Sequence, residues 1–146
     1  DIVGSTALNE ALGDDRWASV RRSFRTLVDE CVEAHGGWEA NTSGDGVLAR
    51  FDHPDAAAHA AVQLLRRLDR QRDDTGFAPS VRIGIHSGDA MEEGTDIIGN
   101  VVNLAARVTD AATPSDQLAL ESTRVHEVPT LLEQVSRRGR DPAGYE

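Results

Sequence analysis

Cysteine occurs once in these 146 residues, at Cys31, so no intrachain disulfide can form. A reducing cytoplasm is the compartment this implies. No apolar run approaches the roughly 18 residues that a membrane-spanning helix needs, so no membrane partner is expected. No charged-then-apolar leader opens the sequence, and no secretion signal is expected. Positive charge is scarce: 15 Lys and Arg stand against 25 Asp and Glu, a formal net charge of −10. Such a chain suits neither non-specific nucleic-acid binding nor an anionic membrane surface. Taken alone, the same acidity argues against a polyphosphate ligand. Repeats and low-complexity tracts are absent, and the length suits one hydrophobic core. A single domain over residues 1–146 is therefore expected. Its content of 39% hydrophobic and 27% charged residues is that of an ordinary globular protein.

Periodicity supplies the elements. Trp17, Val20, Phe24, Leu27, Val28, Cys31 and Val32 recur at spacings of three and four and form one apolar stripe, closed by Gly36-Gly37. A second helix opens at Pro54, where a missing N–H is no loss, and runs through Leu64, Leu65 and Leu68 to fray near Arg72. The polar stretch Gln71 to Pro79 then reads as a connector. A third helix covers about Asn100 to Thr109, with Val101, Leu104, Ala105 and Val108 inward. Trp38 to Thr42 and Val47 to Phe51 bracket Ser43-Gly44-Asp45-Gly46, a hairpin turn. Val81 to His86 alternates as a strand, and Gln117 to Leu120 and Leu132 to Ser136 are further strand candidates. This mixture predicts an α+β fold with a mostly antiparallel sheet.

Three segments carry residue types suited to phosphate chemistry. Asp1-Ile2-Val3-Gly4-Ser5-Thr6 sets an acid before a turn whose backbone N–H groups can cradle phosphate oxygens, although Ser5 or Thr6 also serves as an ordinary helix N-cap. Gly44-Asp45-Gly46 suits a hairpin for backbone reasons, and its carboxylate suits a hard divalent cation. In Asp96 to Arg107, Asn103 and Arg107 lie four apart and share a helix face. An amide and a guanidinium on one face can orient a sugar and neutralise charge on a reacting phosphorus. Other residues read as structural. Cys31 belongs to the apolar stripe, His86 to a strand end, and Trp38 to core or dimer packing rather than base stacking.

The order D-I-V-G-S-T, then G-D-G about 44 residues on, then I-H-S-G, then D-x-x-G-x-x-V-N-x-A-A-R resembles the catalytic domain of class III nucleotidyl (adenylate/guanylate) cyclases. The likeness runs from Asp1 to about Thr123. The segment S-T-x-L-x-E-x-L-G-D, here Ser5 to Asp14, gives it an actinobacterial flavour. The resemblance implies a ferredoxin-like cyclase fold and a homodimer with active sites at the interface. It implies that Asp1 and Asp45 hold two divalent metal ions, Mg²⁺ or Mn²⁺. Ile2, Val3, Gly4, Ser5 and Thr6 match the triphosphate-binding turn, and Asn103 matches the ribose-orienting asparagine. Arg107 matches the arginine that stabilises the transition state, and Asp96 the acidic half of the base-reading pair. Arg138, in Arg138-Gly139-Arg140, is similar to a late Lys-Gly-Lys segment that meets the terminal phosphates.

The pattern is broken in places. The family's base-reading lysine, four residues before the second metal aspartate, is Asn41 here. Asp96 accepts hydrogen bonds and Asn41 both donates and accepts, so the pair suits adenine, uracil or cytosine better than guanine. The connector Asp89 to Thr95 is short where many members carry a longer arm with a phosphate contact. The chain starts at Asp1, so the strand leading into the first motif is expected to be cut short. The expected function is a nucleoside triphosphate cyclase, with ATP favoured. The alternatives are a pyrimidine cyclase making cyclic UMP or CMP in bacterial antiphage signalling, and a catalytically degenerate regulatory module that still binds nucleotide.

Overall fold

The computed structural model describes residues 1–43, 46–88, 91–93, 96–98, 100–112 and 118–121. Helix α1 (Ser5–Leu12) is followed at once by α2 (Asp14–Ala34). Gly13 separates the two, its positive φ of 77° breaking the helical path at a residue without a Cβ. Strands β1 (Trp38–Ser43) and β2 (Gly46–Arg50) form the expected antiparallel hairpin. The register shifts between Glu39 and Asn41, a bulge that leaves Ala40 without an opposite residue. Helix α3 (Pro54–Thr75) starts at the expected proline. It outruns the expected end at Arg72 by a further turn's worth of polar residues. Asp69 pairs with Arg72 at 2.9 Å, and Gly76, in the left-handed region, donates its N–H to Arg72 O. Part of the supposed connector is therefore helix.

Strand β3 (Ile83–His86), β4 (Met91–Glu93), β5 (Asp96–Ile98), α4 (Asn100–Ala111) and β6 (Leu118–Glu121) follow. Strand β4 lies within what the sequence offered as the short connector Asp89 to Thr95 and pairs with β5 just after it, because two three-residue strands are too short to show a period. Strand pairs β1–β2 and β4–β5 are antiparallel, and so is the isolated bridge Ile2 to Val81. The pair β3–β6 is parallel, as a connection through the intervening helix α4 permits. The sheet elements are thus mostly antiparallel with one parallel pair. The strand candidate Leu132 to Ser136 lies outside the described residues.

The core forms where α2 and α3 lie against one another and against the strands. Trp17, Phe24, Val28, Cys31 and Val32 from α2 meet Ala58, Ala61, Leu64, Leu65 and Leu68 from α3, with Ile2, Val81 and Ile85 beneath. The apolar stripe of α2 is therefore the buried face, with Val20 and Leu27 at its margin. Arg67 ties the helices at their edge: its Nη2 lies 2.5 Å from Glu30 Oε2 and its Nη1 4.0 Å from Cys31 Sγ. Trp38 departs from its core reading. It is 42% exposed, with the Arg50 guanidinium 4.8 Å from the ring centroid. Cation–π stacking on a hairpin surface replaces burial. Among the described residues, no helix is long and apolar enough to cross a membrane.

Candidate active site

Asp1 sits opposite Arg82 in an antiparallel pairing. The Asp1 nitrogen donates to Arg82 O at 3.0 Å, and Arg82 N donates to Asp1 O at 2.9 Å. Side chains on a strand alternate between faces, so the next pair, Ile2 and Val81, points the other way. Those two are 2% and 3% exposed, inside the core. Asp1 and Arg82 therefore share the face turned from the core. There Arg82 Nη2 donates to Asp1 Oδ2 at 2.6 Å, with the two side chains 27% and 34% exposed. The same nitrogen lies 3.9 Å from Asp110 Oδ1 on α4. Arg82 was not singled out from sequence. Alternation marks it as facing away from Val81 and Ile83, but only the strand pairing sets it against Asp1.

The turn after Asp1 is more selective than the motif suggested. Val3 N–H is committed to Ser80 O at 2.9 Å, and Ile2 is buried as core. Helix α1 begins at Ser5 with Gly4 as its N-cap in the left-handed conformation, φ 66° and ψ 33°, and without a side-chain cap. Neither Ser5 nor Thr6 caps it, because both already have helical geometry. The N–H groups of Gly4, Ser5 and Thr6 take no acceptor among the described residues, as expected of a helix's first turn. The N–H of Val3 is thereby excluded as a donor, while those of Gly4, Ser5 and Thr6 remain able to donate to an anion.

Helix α4 packs on β3. It meets the core side with Val108, which is buried, and with the half-buried Val101, Leu104 and Ala105. Asn103 and Arg107 are exposed, one turn apart on the opposite face. The contact with β3 is close because Gly84 lies against Thr109. A Cβ built on Gly84 would stand 2.8 Å from Thr109 Cα and nearer still to its N and Oγ1. Gly84 thus sets how deeply α4 can seat.

Asn41 and Asp96 lie on β1 and β5 by their backbones, while their side chains lie outside the described residues. Gly44, Asp45 and Arg138 also lie outside them. Among the described residues, no group of three or more His, Cys, Asp or Glu gathers as a metal centre. Asp1 by itself offers what a hard cation needs: a carboxylate with one oxygen fixed by Arg82 and the other uncommitted among the described residues. Beside Ile2 and Gly46, each the neighbour of a candidate metal aspartate, an open recess of about 500 Å³ is lined by Arg21, Arg22 and Arg25. Arg25 is paired with Glu39. Local charge there is basic, in contrast to the net charge of the chain.

No family model matches the chain. It is 31% identical over 128 residues to an adenylate cyclase of Streptomyces coelicolor, covering 88% of this chain and 32% of that protein. It is 30% identical over 124 residues to a pH-sensitive adenylate cyclase of Mycobacterium tuberculosis, covering 85% of this chain and 30% of that one. The chain thus spans about a third of the length of these curated relatives. Among solved structures, it resembles an adenylate/guanylate cyclase/hydrolase from Silicibacter pomeroyi. The TM-score is 0.67 and the identity 29%, with 94% of this chain and 76% of that one covered. The adenylyl cyclase CyaB of P. aeruginosa shares the fold at a TM-score of 0.63 and 21% identity, with 92% of this chain and 78% of that one covered. In sequence and fold, these residues are similar to the adenylate/guanylate cyclase domains of these proteins.

Proposed function

We propose that this domain converts a nucleoside triphosphate, ATP by preference, to its 3′,5′-cyclic monophosphate and pyrophosphate in a cytoplasmic homodimer. The observation that carries this reading is the disposition of Asp1, Asn103 and Arg107. Asp1 faces away from the core beside β3, and α4, seated on that strand, exposes Asn103 and Arg107 together. One chain therefore offers a metal-binding carboxylate and, separately, an amide and a guanidinium free to meet a second copy. In the resembled family these two sets come from different subunits of each site. The named activities of the Streptomyces and Mycobacterium relatives support ATP.

The reaction forms a bond from the ribose 3′-oxygen to the α-phosphorus and breaks the bond from that phosphorus to the bridging oxygen. The proton of the 3′-OH is released and pyrophosphate leaves. Two divalent cations, Mg²⁺ or Mn²⁺, would be held by Asp1 and Asp45 and would supply acidification of the 3′-OH and charge for the phosphates. The free N–H groups of Gly4, Ser5 and Thr6 bind triphosphate oxygens. Asn103 orients the ribose, which brings the 3′-oxygen into line. Arg107 meets charge that grows at the phosphorus, so its effect falls on the rate more than on binding. Asn41 and Asp96 read the base, and Arg138 meets the terminal phosphates.

Asn41 in the lysine position favours one second reading, a UTP or CTP cyclase. The experiment that separates the readings is incubation of the purified protein with each of the four triphosphates and Mn²⁺, with cyclic products identified by mass spectrometry. Cyclic AMP supports the first reading and a cyclic pyrimidine the second. No product from any triphosphate refutes both.

A further inference from the structure

We propose that Arg82 is a positioning residue for Asp1, holding the carboxylate so that its second oxygen is presented to a divalent cation. The inference rests on reading Asp1 as a metal ligand. Three observations carry it. First, Asp1 and Arg82 are directly opposed through two backbone hydrogen bonds, so the guanidinium reaches the carboxylate from a fixed base. Second, among the described residues only one carboxylate oxygen, Oδ2, is engaged, by Arg82 Nη2 at 2.6 Å. A carboxylate has about four lone-pair sites, and one such bond leaves the other oxygen available while fixing its direction. Third, Arg82 Nε is buried without an acceptor among the described residues. A buried donor left unpaired is costly and calls for a reason. Here the guanidinium is held where Asp1 and, at 3.9 Å, Asp110 need it rather than where its own donors would all be satisfied. Because Asp110 is on α4, the same side chain links the Asp1 strand to the helix that carries Asn103 and Arg107.

Two physical effects oppose one another at this pair, and their signs differ. The positive charge of Arg82 repels a cation, so its removal would tighten metal binding if charge dominated. Its hydrogen bond orients a ligand, so its removal would weaken metal binding if positioning dominated. The proposal is that positioning wins.

The test is the Mn²⁺ dissociation constant, measured without nucleotide by electron paramagnetic resonance on the purified protein, beside thermal unfolding of each variant. Folded Arg82→Ala is expected to bind Mn²⁺ about 10–100-fold more weakly, the usual loss when a ligand's hydrogen-bond partner is removed. Arg82→Lys, which keeps the charge and one donor, is expected to recover part of that loss. If the alanine variant does not fold, Arg82→Gln keeps a donor without the charge and is expected to bind more weakly than the native chain. Equal or tighter Mn²⁺ binding by folded Arg82→Ala or Arg82→Gln overturns the proposal. Asp1→Asn tests the underlying reading separately. If it keeps native Mn²⁺ affinity, Asp1 is no ligand and the role of Arg82 falls with it. If it loses the ion while folded Arg82→Ala keeps it, Asp1 stands as a ligand and only the positioning role is refuted.

Discussion

Gly84→Ala should damage turnover from inside the fold, without touching any candidate site residue. The added Cβ would lie 2.8 Å from Thr109 Cα and closer to Thr109 N. Carbon atoms rest at about 3.5–4.0 Å, so relief requires the two backbones to separate by roughly 0.7–1.2 Å. The partner atoms are helix backbone, which cannot turn aside as a side-chain tip can. Overpacking of this kind costs about 1–3 kcal/mol. For a chain of this size that lowers Tm by about 2–4 °C per kcal/mol. The retreat moves α4 as a unit, and with it Asn103 and Arg107. Misplacement of reacting groups by about 1 Å can cost about 10²-fold in rate. The assay is thermal unfolding followed by steady-state cyclase kinetics at a temperature where the variant is folded. The expected result is a lowered Tm, a kcat reduced by about 10²-fold and Mn²⁺ affinity little changed. Gly88→Ala is the control, since its Cβ would meet side-chain atoms alone, Val101 Cγ2 at 3.2 Å and His86 Nε2 at 3.4 Å being the nearest. Native Tm and native kcat in Gly84→Ala would refute the claim that this contact seats α4 and, with it, Asn103 and Arg107 in their proposed roles.

Arg107→Ala should lower kcat by about 10²–10³-fold, as loss of a transition-state charge contact does, while Mn²⁺ binding stays near native; an unchanged cyclisation rate removes Arg107 from the mechanism. Leu68→Ala, at a side chain 2% exposed between α2 and α3, should cost about 2–5 kcal/mol in denaturant unfolding. A loss below about 1 kcal/mol, no more than Ile→Val costs, contradicts the core described. Burial pushes the Cys31 thiol up, against a smaller opposing pull from Arg67. The folded pKa therefore exceeds the unfolded one, so this group's contribution is complete below pH 9.0 and is lost as pH climbs through the raised value. Chemical unfolding across pH 8–11 should show a loss that Cys31→Ala lacks, and alkylation of native Cys31 should be slow at pH 8.

The sequence by itself determined the elements with a full period and the motifs with fixed spacing. The α2 stripe from Trp17 to Val32 and the shared face of Asn103 and Arg107 follow from the 3.6-residue repeat, and the opening of α3 follows from Pro54, which lacks the N–H that a first helical position does not need; both are local properties. The β1–β2 hairpin follows from its turn residues. The motifs around Asp1, Asp45, Asn103 and Arg107 carried the resemblance to class III nucleotide cyclases, and the described residues share the fold of solved cyclases. Net charge did not set the local charge everywhere: Arg21, Arg22 and Arg25 line one recess in a chain of charge −10. Tertiary structure decided what depends on pairing between distant segments. Asp1 meets Arg82 across 81 residues, Val3 gives its N–H to Ser80, and Gly84 fixes the depth of α4 against Thr109. No local pattern encodes these contacts, since each needs two backbones brought together by packing elsewhere in the chain.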